Sequence, residues 1–91
     1  MKVIWTESAA DNLTAIVEFI NLDDPTAARR VAQVIFDKVM SLADTPHRGR
    51  KRYTDEYREL IFAPWPYVAV YGIDGDKVYI HHVRHTAQLL P

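Results

Sequence analysis

The sequence Asp74-Gly75-Asp76 most narrows what this chain can fold into, because it separates two segments of strand-forming residues. An Asp-Gly pair at such a place favours a tight β-turn, since glycine readily adopts the positive backbone angles that the turn requires. The flanking segments are residues 67–73, YVAVYGI, and residues 77–85, KVYIHHVRH, both rich in β-branched and aromatic side chains. We therefore expect a β-hairpin in the second half of the chain.

Two helices are predicted in the first half, after a short strand at residues 2–5, KVIW. Ser8 followed by Asp11 indicates a capping box that opens the first helix. Asp24 before Pro25 opens the second, because an acidic N-cap precedes a proline at the first helical position, where its missing N–H costs nothing. The second helix has an apolar stripe at helical spacing, formed by Ala28, Val31, Ile35, Val39 and Leu42.

The order of elements predicts the fold class. A further strand is expected at residues 57–62, YRELIF, and the prolines of APWP separate it from residues 67–73. The order is then β-α-α-β-β-β in one domain spanning residues 1–91, a length that supports one modest hydrophobic core. We expect an α+β fold in which a small, largely antiparallel sheet carries the N-terminal helical hairpin on one face. The other face of the sheet is left for partners.

Three of the four histidines lie in the last predicted strand, where they could form a metal site, a catalytic cluster or a polar strand face. Strict alternation of side chains would place Tyr79, His81, Val83 and His85 on one face and Val78, Ile80, His82 and Arg84 on the other. His81 and His85 would then be roughly 13 Å apart, too far to hold one metal ion. Because the chain also has no cysteine, we expect no metal and no other cofactor.

Arg84 and His85 differ from the other strand residues because they stand where the strand meets the tail TAQLLP. A cation and a titratable imidazole at a strand end can hold a phosphate or move a proton. We therefore treat these two residues as candidates for chemistry. His81 and His82, taken separately, are expected to be half-buried or solvated strand residues.

The net charge of −1 conceals a local basic run, RGRKR, at residues 48–52. Lysine and arginine displace condensed counterions from phosphates, so this run could grip a nucleic-acid backbone. The alternative is a solvated loop or the start of a strand. The candidate contact residues are Arg48, Arg50, Lys51 and Arg52.

Targeting and membrane segments are not expected. The N-terminal residues lack the apolar run of a signal peptide, and the longest uncharged stretch, residues 60–73, is too short to span a bilayer and contains two prolines. We expect a soluble protein of the cytoplasm with no membrane partner.

The whole chain resembles the RelE/ParE superfamily of toxins from type II toxin–antitoxin modules. The resemblance is carried by VIWTESAADNL, the helix start DDPTAARRV, the sequence PHRGR, and the run RELIFAPWPYVAVYGIDGDKVYIHHVRHTAQLLP. It implies a small sheet capped by a helical hairpin, in agreement with the predicted order of elements. It also implies a growth-inhibiting toxin that is neutralised by a cognate antitoxin protein.

The superfamily divides by target. RelE-like members resemble ribosome-dependent endoribonucleases, which cut mRNA. ParE-like members resemble poisons of DNA gyrase and have no established catalytic residues. The ribonuclease branch typically has an arginine directly after the tyrosine of the penultimate strand, but here Val68 follows Tyr67. No tyrosine follows Arg84 either. The sequence therefore has fewer groups than the ribonuclease branch to stabilise the negative charge that develops on a phosphate during cleavage. This difference favours the ParE-like branch.

Three functions therefore stay open at the level of sequence. For a gyrase poison, the candidate target-binding residues are Arg48, Arg50, Lys51, Arg52, Arg84, Leu89 and Leu90. For a ribosome-dependent ribonuclease acting on mRNA, the candidate catalytic residues are Arg58, Arg84 and His85. The third function is a non-toxic protein-binding module of the same fold, because one fold can host many functions.

Overall fold

A computed structural model of the chain describes residues 1–51 and 56–87. The elements, in chain order, are β1 (Lys2–Trp5), α1 (Glu7–Asn21), α2 (Pro25–Met40), a 3₁₀ turn (Ser41–Ala43), β2 (Arg50–Lys51), β3 (Arg58–Ile61), β4 (Tyr67–Asp74) and β5 (Lys77–His85). The five strands form one sheet in the order β1-β5-β4-β3-β2. Strand β1 pairs with β5 in parallel, and the other pairings are antiparallel. The predicted α+β fold and its order of elements are confirmed, and the two-residue β2 is a strand in addition to the four predicted.

The N-cap of the first helix is Thr6, two residues before Ser8, which corrects the prediction that Ser8 opens the helix. The Thr6 hydroxyl accepts a hydrogen bond from the Ala9 amide at 3.2 Å and donates to the Ile80 carbonyl at 2.6 Å. Thr6 therefore caps the helix and also ties it to β5, a contact between residues far apart in sequence. Ser8 lies inside the helix, with its Oγ 3.3 Å from Nδ1 of His82.

The second helix follows its prediction closely. Asp24 is the N-cap and accepts from the Ala27 amide at 3.0 Å, and Pro25 occupies the first helical position. The apolar stripe packs into the core, where its five members, Ala28, Val31, Ile35, Val39 and Leu42, are at most 2% exposed. Burial of such a stripe, rather than helical propensity, supplies most of the stability of a helix of this length.

The helices cover one face of the sheet, which we call the helix face. Strand β4 contributes Tyr67, Ala69 and Tyr71 to the hydrophobic core on this face. The opposite face, which we call the open face, receives the alternate residues of β4, including Val68 and Val70. The Asp74–Lys77 pair closes the β4–β5 hairpin, and Gly75 has the positive φ of 62° that its turn requires. The predicted hairpin is confirmed.

A β-bulge in β5 overturns the predicted alternation of its side chains. Val70 pairs with His82, whereas the next residue of β4, Tyr71, pairs with Ile80, so His81 is an extra residue. One extra residue shifts every later side chain to the other face. Val83 is consequently buried in the core with Val78 and Ile80, which were assigned to the opposite face.

The bulge also moves the two residues at the end of β5. Arg84 pairs with Val68 on the open face, and His85 pairs with Tyr67 on the helix face. Arg84 was expected to share a face with Ile80, and that expectation is wrong for the same reason. Neither described helix is long and apolar enough to cross a membrane.

Candidate functional site

The described part of the basic run forms an exposed edge of the sheet. We call residues 47–51 the basic segment; its last two residues form β2 and pair with β3. Its basic side chains, those of His47, Arg48, Arg50 and Lys51, are exposed. The Arg48 guanidinium donates to Oγ of Ser41 at 2.9 Å, so it lies against the end of the helical hairpin.

Tyr71 holds the basic segment from inside the protein. Its ring is fully buried on the helix face, and its hydroxyl donates to the Pro46 carbonyl at 2.7 Å. The same hydroxyl accepts from the Gly49 amide at 2.8 Å. Burial raises the pKa of Tyr71 despite the hydrogen bond from Gly49 and the charge of Arg58, so the neutral phenol that can donate is the favoured form.

Arg58 attaches the same segment through its carbonyl groups. One guanidinium nitrogen of Arg58 donates to the carbonyl of Gly49 at 2.8 Å and to that of His47 at 3.2 Å. The side chain is thus directed toward the backbone of its own chain. Hydrogen bonds from a charged donor are stronger than neutral ones, so both contacts order the segment.

A cluster of charges lies on the open face beside the basic segment. The Glu59 carboxylate is 3.4 Å from the guanidinium of Arg50 and 3.8 Å from that of Arg84. Only the Arg50 side chain is well exposed, at 66%, whereas those of Glu59 and Arg84 are 16% and 18% exposed. One carboxylate therefore offsets the charge of two arginines in a partly desolvated place.

His85 occupies the helix face at the end of β5. Its ring meets that of Tyr67 edge to face, with centroids 5.5 Å apart, and its Nδ1 accepts from the Ala87 amide at 2.9 Å. That hydrogen bond assigns Nδ1 as an acceptor, which leaves the proton of a neutral ring on Nε2.

The structure does not gather the three residues considered for catalysis on one face of the sheet, although Arg84 and His85 border the same groove. Arg84 faces the open face, and His85 faces the helix face. Arg58 and His85 pair with Tyr71 and Tyr67 of β4, which places them about 13 Å apart along the strands and about 10 Å apart across them. What the structure does bring together is Arg50, Glu59 and Arg84.

The neighbouring histidines of the bulge contact different elements. The His81 ring packs edge to face on Tyr57 with centroids 5.4 Å apart, whereas His82 reaches Ser8 of α1. Burial, and secondarily the nearby charge of His82, lowers the pKa of His81. Within residues 1–51 and 56–87, no three side chains of histidine, aspartate or glutamate converge on a position where they could hold a metal ion.

An open groove lies between α1 and the end of β5. The Asn12 side chain accepts from the Val83 amide at 3.1 Å and so ties the two walls together. The groove has a volume of about 670 Å³. It is lined by Asn12, Ala15, Ile16, Phe19, Tyr67, His82, Val83, Arg84, His85 and Ala87.

Large apolar side chains are exposed in this groove and at the C-terminal end of α1. Phe19, which lines it, is 70% exposed, and Leu22, just after α1, is 81% exposed. Contiguous exposed apolar surface marks a place where another molecule docks. Three residues predicted to bind a target, Arg52, Leu89 and Leu90, lie outside the residues that the structure describes.

Sequence reasoning missed the roles of Tyr71, Gly49 and Glu59. A signal for Tyr71 was present, because a tyrosine on the core face of a strand needs a partner for its hydroxyl. That partner, Gly49, is 22 residues away, and no local pattern identifies it. Glu59 lies between two of the predicted binding arginines, a position that follows from the strand register and not from any local pattern.

Three comparisons with known proteins agree. A sequence-family model described as the ParE toxin of the type II toxin–antitoxin system parDE matches residues 3–90. "Toxin RelE2" of Caulobacter vibrioides is 41% identical over 88 residues, which cover 97% of this chain and 98% of that protein. Y4kP of Sinorhizobium fredii is 39% identical over 90 residues, which cover 99% of this chain and 93% of that protein.

A solved structure titled "Chromosomal ParDE TA system from P. aeruginosa" contains a similar chain. The TM-score is 0.82 and the sequence identity 26%, over 93% of this chain and 95% of that one. The similarity therefore extends over nearly the whole fold.

Proposed function

The chain belongs to the ParE toxin family of type II toxin–antitoxin systems, and from this premise we propose that it arrests growth by poisoning DNA gyrase in the cytoplasm. The family model has a ParE description, whereas the Caulobacter relative has a RelE name. The names of relatives therefore do not choose between DNA gyrase and mRNA as the target. The choice rests on what the residues of the site can do.

One observation carries the proposal: the cations suited to a cleaved phosphate are each committed to groups of the same chain. Arg84 faces the Glu59 carboxylate, and Arg58 donates to two backbone carbonyls. Arg58 is distant from His85, and Arg84, although it lines the same groove as His85, belongs to the other face of the sheet. Cleavage of RNA needs a base, an acid and cations converging on one phosphate, and this arrangement disperses them.

A poison of gyrase needs a binding surface rather than a reactive centre. The exposed Arg48, Arg50 and Lys51 form such a surface along one edge of the sheet, and Arg84, whose charge is offset by Glu59, lies behind it as a contact for the protein part of the target. Gyrase bound to DNA offers phosphate groups to such a surface, and the release of counterions would contribute to affinity. Arg52, Leu89 and Leu90 are proposed to extend this surface.

The second part of the proposal concerns the partner. We infer that a cognate antitoxin covers the groove beside α1 with an apolar segment, because Phe19 exposes a large apolar side chain in the groove and Leu22 exposes another just after the same helix. Co-expression with the neighbouring small reading frame should give a complex that survives gel filtration. Replacement of Phe19 and Leu22 by serine should release the partner, while replacement of the exposed Asp11 by serine should not. Separate elution of the two wild-type proteins at micromolar concentration would refute this part.

Two assays with the purified protein test the target. The first measures supercoiling by gyrase and scores trapped, cleaved DNA; the second maps the ends of mRNA by primer extension in translating ribosomes. Trapped gyrase–DNA with intact mRNA supports the proposal. Cuts at codon positions with unaffected gyrase would contradict it and would return Arg58, Arg84 and His85 to a catalytic role.

A further inference from the structure

The turn that leads into β2 is fastened to the sheet by two side chains only 13 residues apart in sequence. Tyr71 of β4 bonds to Pro46 and Gly49, and Arg58 of β3 bonds to His47 and Gly49. Both donors come from strands in the middle of the protein and reach outward to the backbone of the turn. Gly49 is the common point, because its amide and its carbonyl are both used.

Close packing makes this attachment specific. A Cβ atom added at Gly49 would lie 2.7 Å from the Tyr71 hydroxyl and 2.8 Å from the Glu59 carbonyl, so the turn fits against the sheet only with glycine there. The Gly49 amide is part of a buried hydrogen bond. Without the tyrosine hydroxyl, this amide would lose its partner in a place where an unsatisfied donor is costly.

The attachment fixes where two predicted binding cations stand. Arg48 and Arg50 flank Gly49 directly, so the position of the Gly49 backbone sets the directions from which both side chains leave the protein. Arg50 forms an ion pair with Glu59, and Arg48 donates a hydrogen bond to Ser41. A long arginine side chain that starts from an ordered backbone loses less entropy when it binds a target.

We propose that Tyr71 and Arg58 are positioning residues, which hold Arg48 and Arg50 in the geometry that engages the target, and that Arg58 makes no contact with the target itself. This inference rests on the proposed function in one respect, that the basic segment is the contact surface. It differs from a catalytic role for Arg58, in which the guanidinium would bind a phosphate.

A double-mutant cycle distinguishes the two roles. The variants are Tyr71→Phe, Arg58→Ala, their combination, and the control Tyr79→Phe, whose hydroxyl makes no hydrogen bond to the described residues. Each is purified as its antitoxin complex, its folding is checked by melting temperature, and the toxin is then separated from the antitoxin for the assays. The readouts are amide exchange at Gly49 and the concentration of free toxin that traps half of the gyrase–DNA.

If both residues act through the basic segment, Tyr71→Phe speeds exchange at Gly49 and weakens trapping, each about three- to tenfold, as expected for one lost hydrogen bond. The trapping potency of the double variant is then only slightly lower than that of the more severe single variant, because both changes release the same segment. Tyr79→Phe behaves like the wild type. Wild-type trapping by Tyr71→Phe despite faster exchange at Gly49 would overturn the inference, as would losses that multiply in the double variant.

The proposed function and this inference fail separately. If the wild type traps no gyrase, the proposed target is wrong, whatever the variants do. The same cycle is then scored by growth arrest after induction, which needs no knowledge of the target. Non-additive losses in that assay support positioning, and independent losses overturn it.

Discussion

The Arg84 guanidinium lies 3.8 Å from the Glu59 carboxylate, so the cation at the end of β5 is matched by an anion of its own chain. A phosphate that approached Arg84 would have to compete with this carboxylate and would be repelled by it. A protein surface, which offers donors, acceptors and mixed charge, has no such disadvantage. This pair is the main physical reason to favour a binding role over RNA cleavage.

Neutralising Glu59 should therefore strengthen binding to nucleic acid. Glu59→Gln keeps the shape of the side chain and removes the charge that offsets Arg50 and Arg84. We expect the variant to bind a short DNA duplex more tightly. We also expect the slope of log affinity against log salt concentration to become steeper by about one, because each further phosphate contact adds roughly that amount to the slope. The free energy of unfolding should fall as well, because the largely buried guanidinium of Arg84 would lose the carboxylate that offsets its charge.

The matched control for this change is Glu56→Gln, at an exposed position in the same part of the chain. It removes the same charge without releasing Arg84, so we expect a salt slope close to that of the wild type. Equal slopes for Glu59→Gln and the wild type would show that the carboxylate does not limit access to the arginines.

Adding a methyl group at Gly49 should destabilise the protein. The new Cβ would lie within 2.8 Å of the Tyr71 ring and the Glu59 carbonyl, and the carbonyl belongs to a strand that cannot easily move. We expect Gly49→Ala to lower the free energy of unfolding by about 1–3 kcal/mol, the usual cost of overpacking a core. Urea denaturation measures this directly.

Gly72→Ala provides the comparison, because its Cβ would be 3.3 Å from its nearest neighbours and needs only a small adjustment. We expect a smaller loss than at Gly49. A Gly49→Ala protein as stable as the wild type would contradict the packing described for the turn.

Much of the fold could be predicted from sequence because its signals are local. Asp24-Pro25 opens α2, and Asp74-Gly75 turns the β4–β5 hairpin, and each signal acts within a few residues. The predicted start of α1 was wrong because a tertiary contact selects the N-cap. The hydroxyl of Thr6 also donates to the Ile80 carbonyl, and a local capping pattern cannot show this contact.

The candidate site was less predictable because it depends on pairing between distant strands. The two-residue strand β2 exists only where Arg50 and Lys51 meet β3. The bulge at His81 moved Arg84 and His85 to faces that strict alternation did not predict. Composition marked the cations as a group, but only the strand register shows which carboxylate lies beside each of them.

Acid should destabilise the fold partly through His81. Its pKa is lowered by burial and by the neighbouring charge of His82, so the folded state binds a proton less readily than the unfolded chain. The contribution of His81 to stability is therefore present above its unfolded pKa near 6.5 and is lost as pH falls through the lower folded pKa. His81→Phe, which preserves an aromatic ring against Tyr57, should reduce the loss of melting temperature between about pH 7 and pH 5.

His47→Gln is the control for this experiment, since His47 is exposed and its side chain makes no described contact. We expect its melting temperature to follow pH as the wild type does. A pH dependence unchanged in His81→Phe would assign the acid sensitivity to other groups.

Removal of metal ions should have no effect. The chain has no cysteine, and His81 and His82 contact different elements. Dialysis against a chelator should leave both melting temperature and growth arrest unchanged. Stoichiometric zinc found by elemental analysis of the purified protein would contradict this expectation.

The most direct test of the central claim is the amount of cleaved DNA trapped by purified gyrase as toxin is added. We predict a dose-dependent rise with the wild type and a loss of at least about tenfold in potency when Arg48, Arg50 and Lys51 are replaced by alanine, since several phosphate contacts would disappear. Replacing Arg29 and Arg30, exposed on α2, by alanine should leave potency unchanged. No trapped DNA at any concentration of a toxin that still arrests growth would contradict the account.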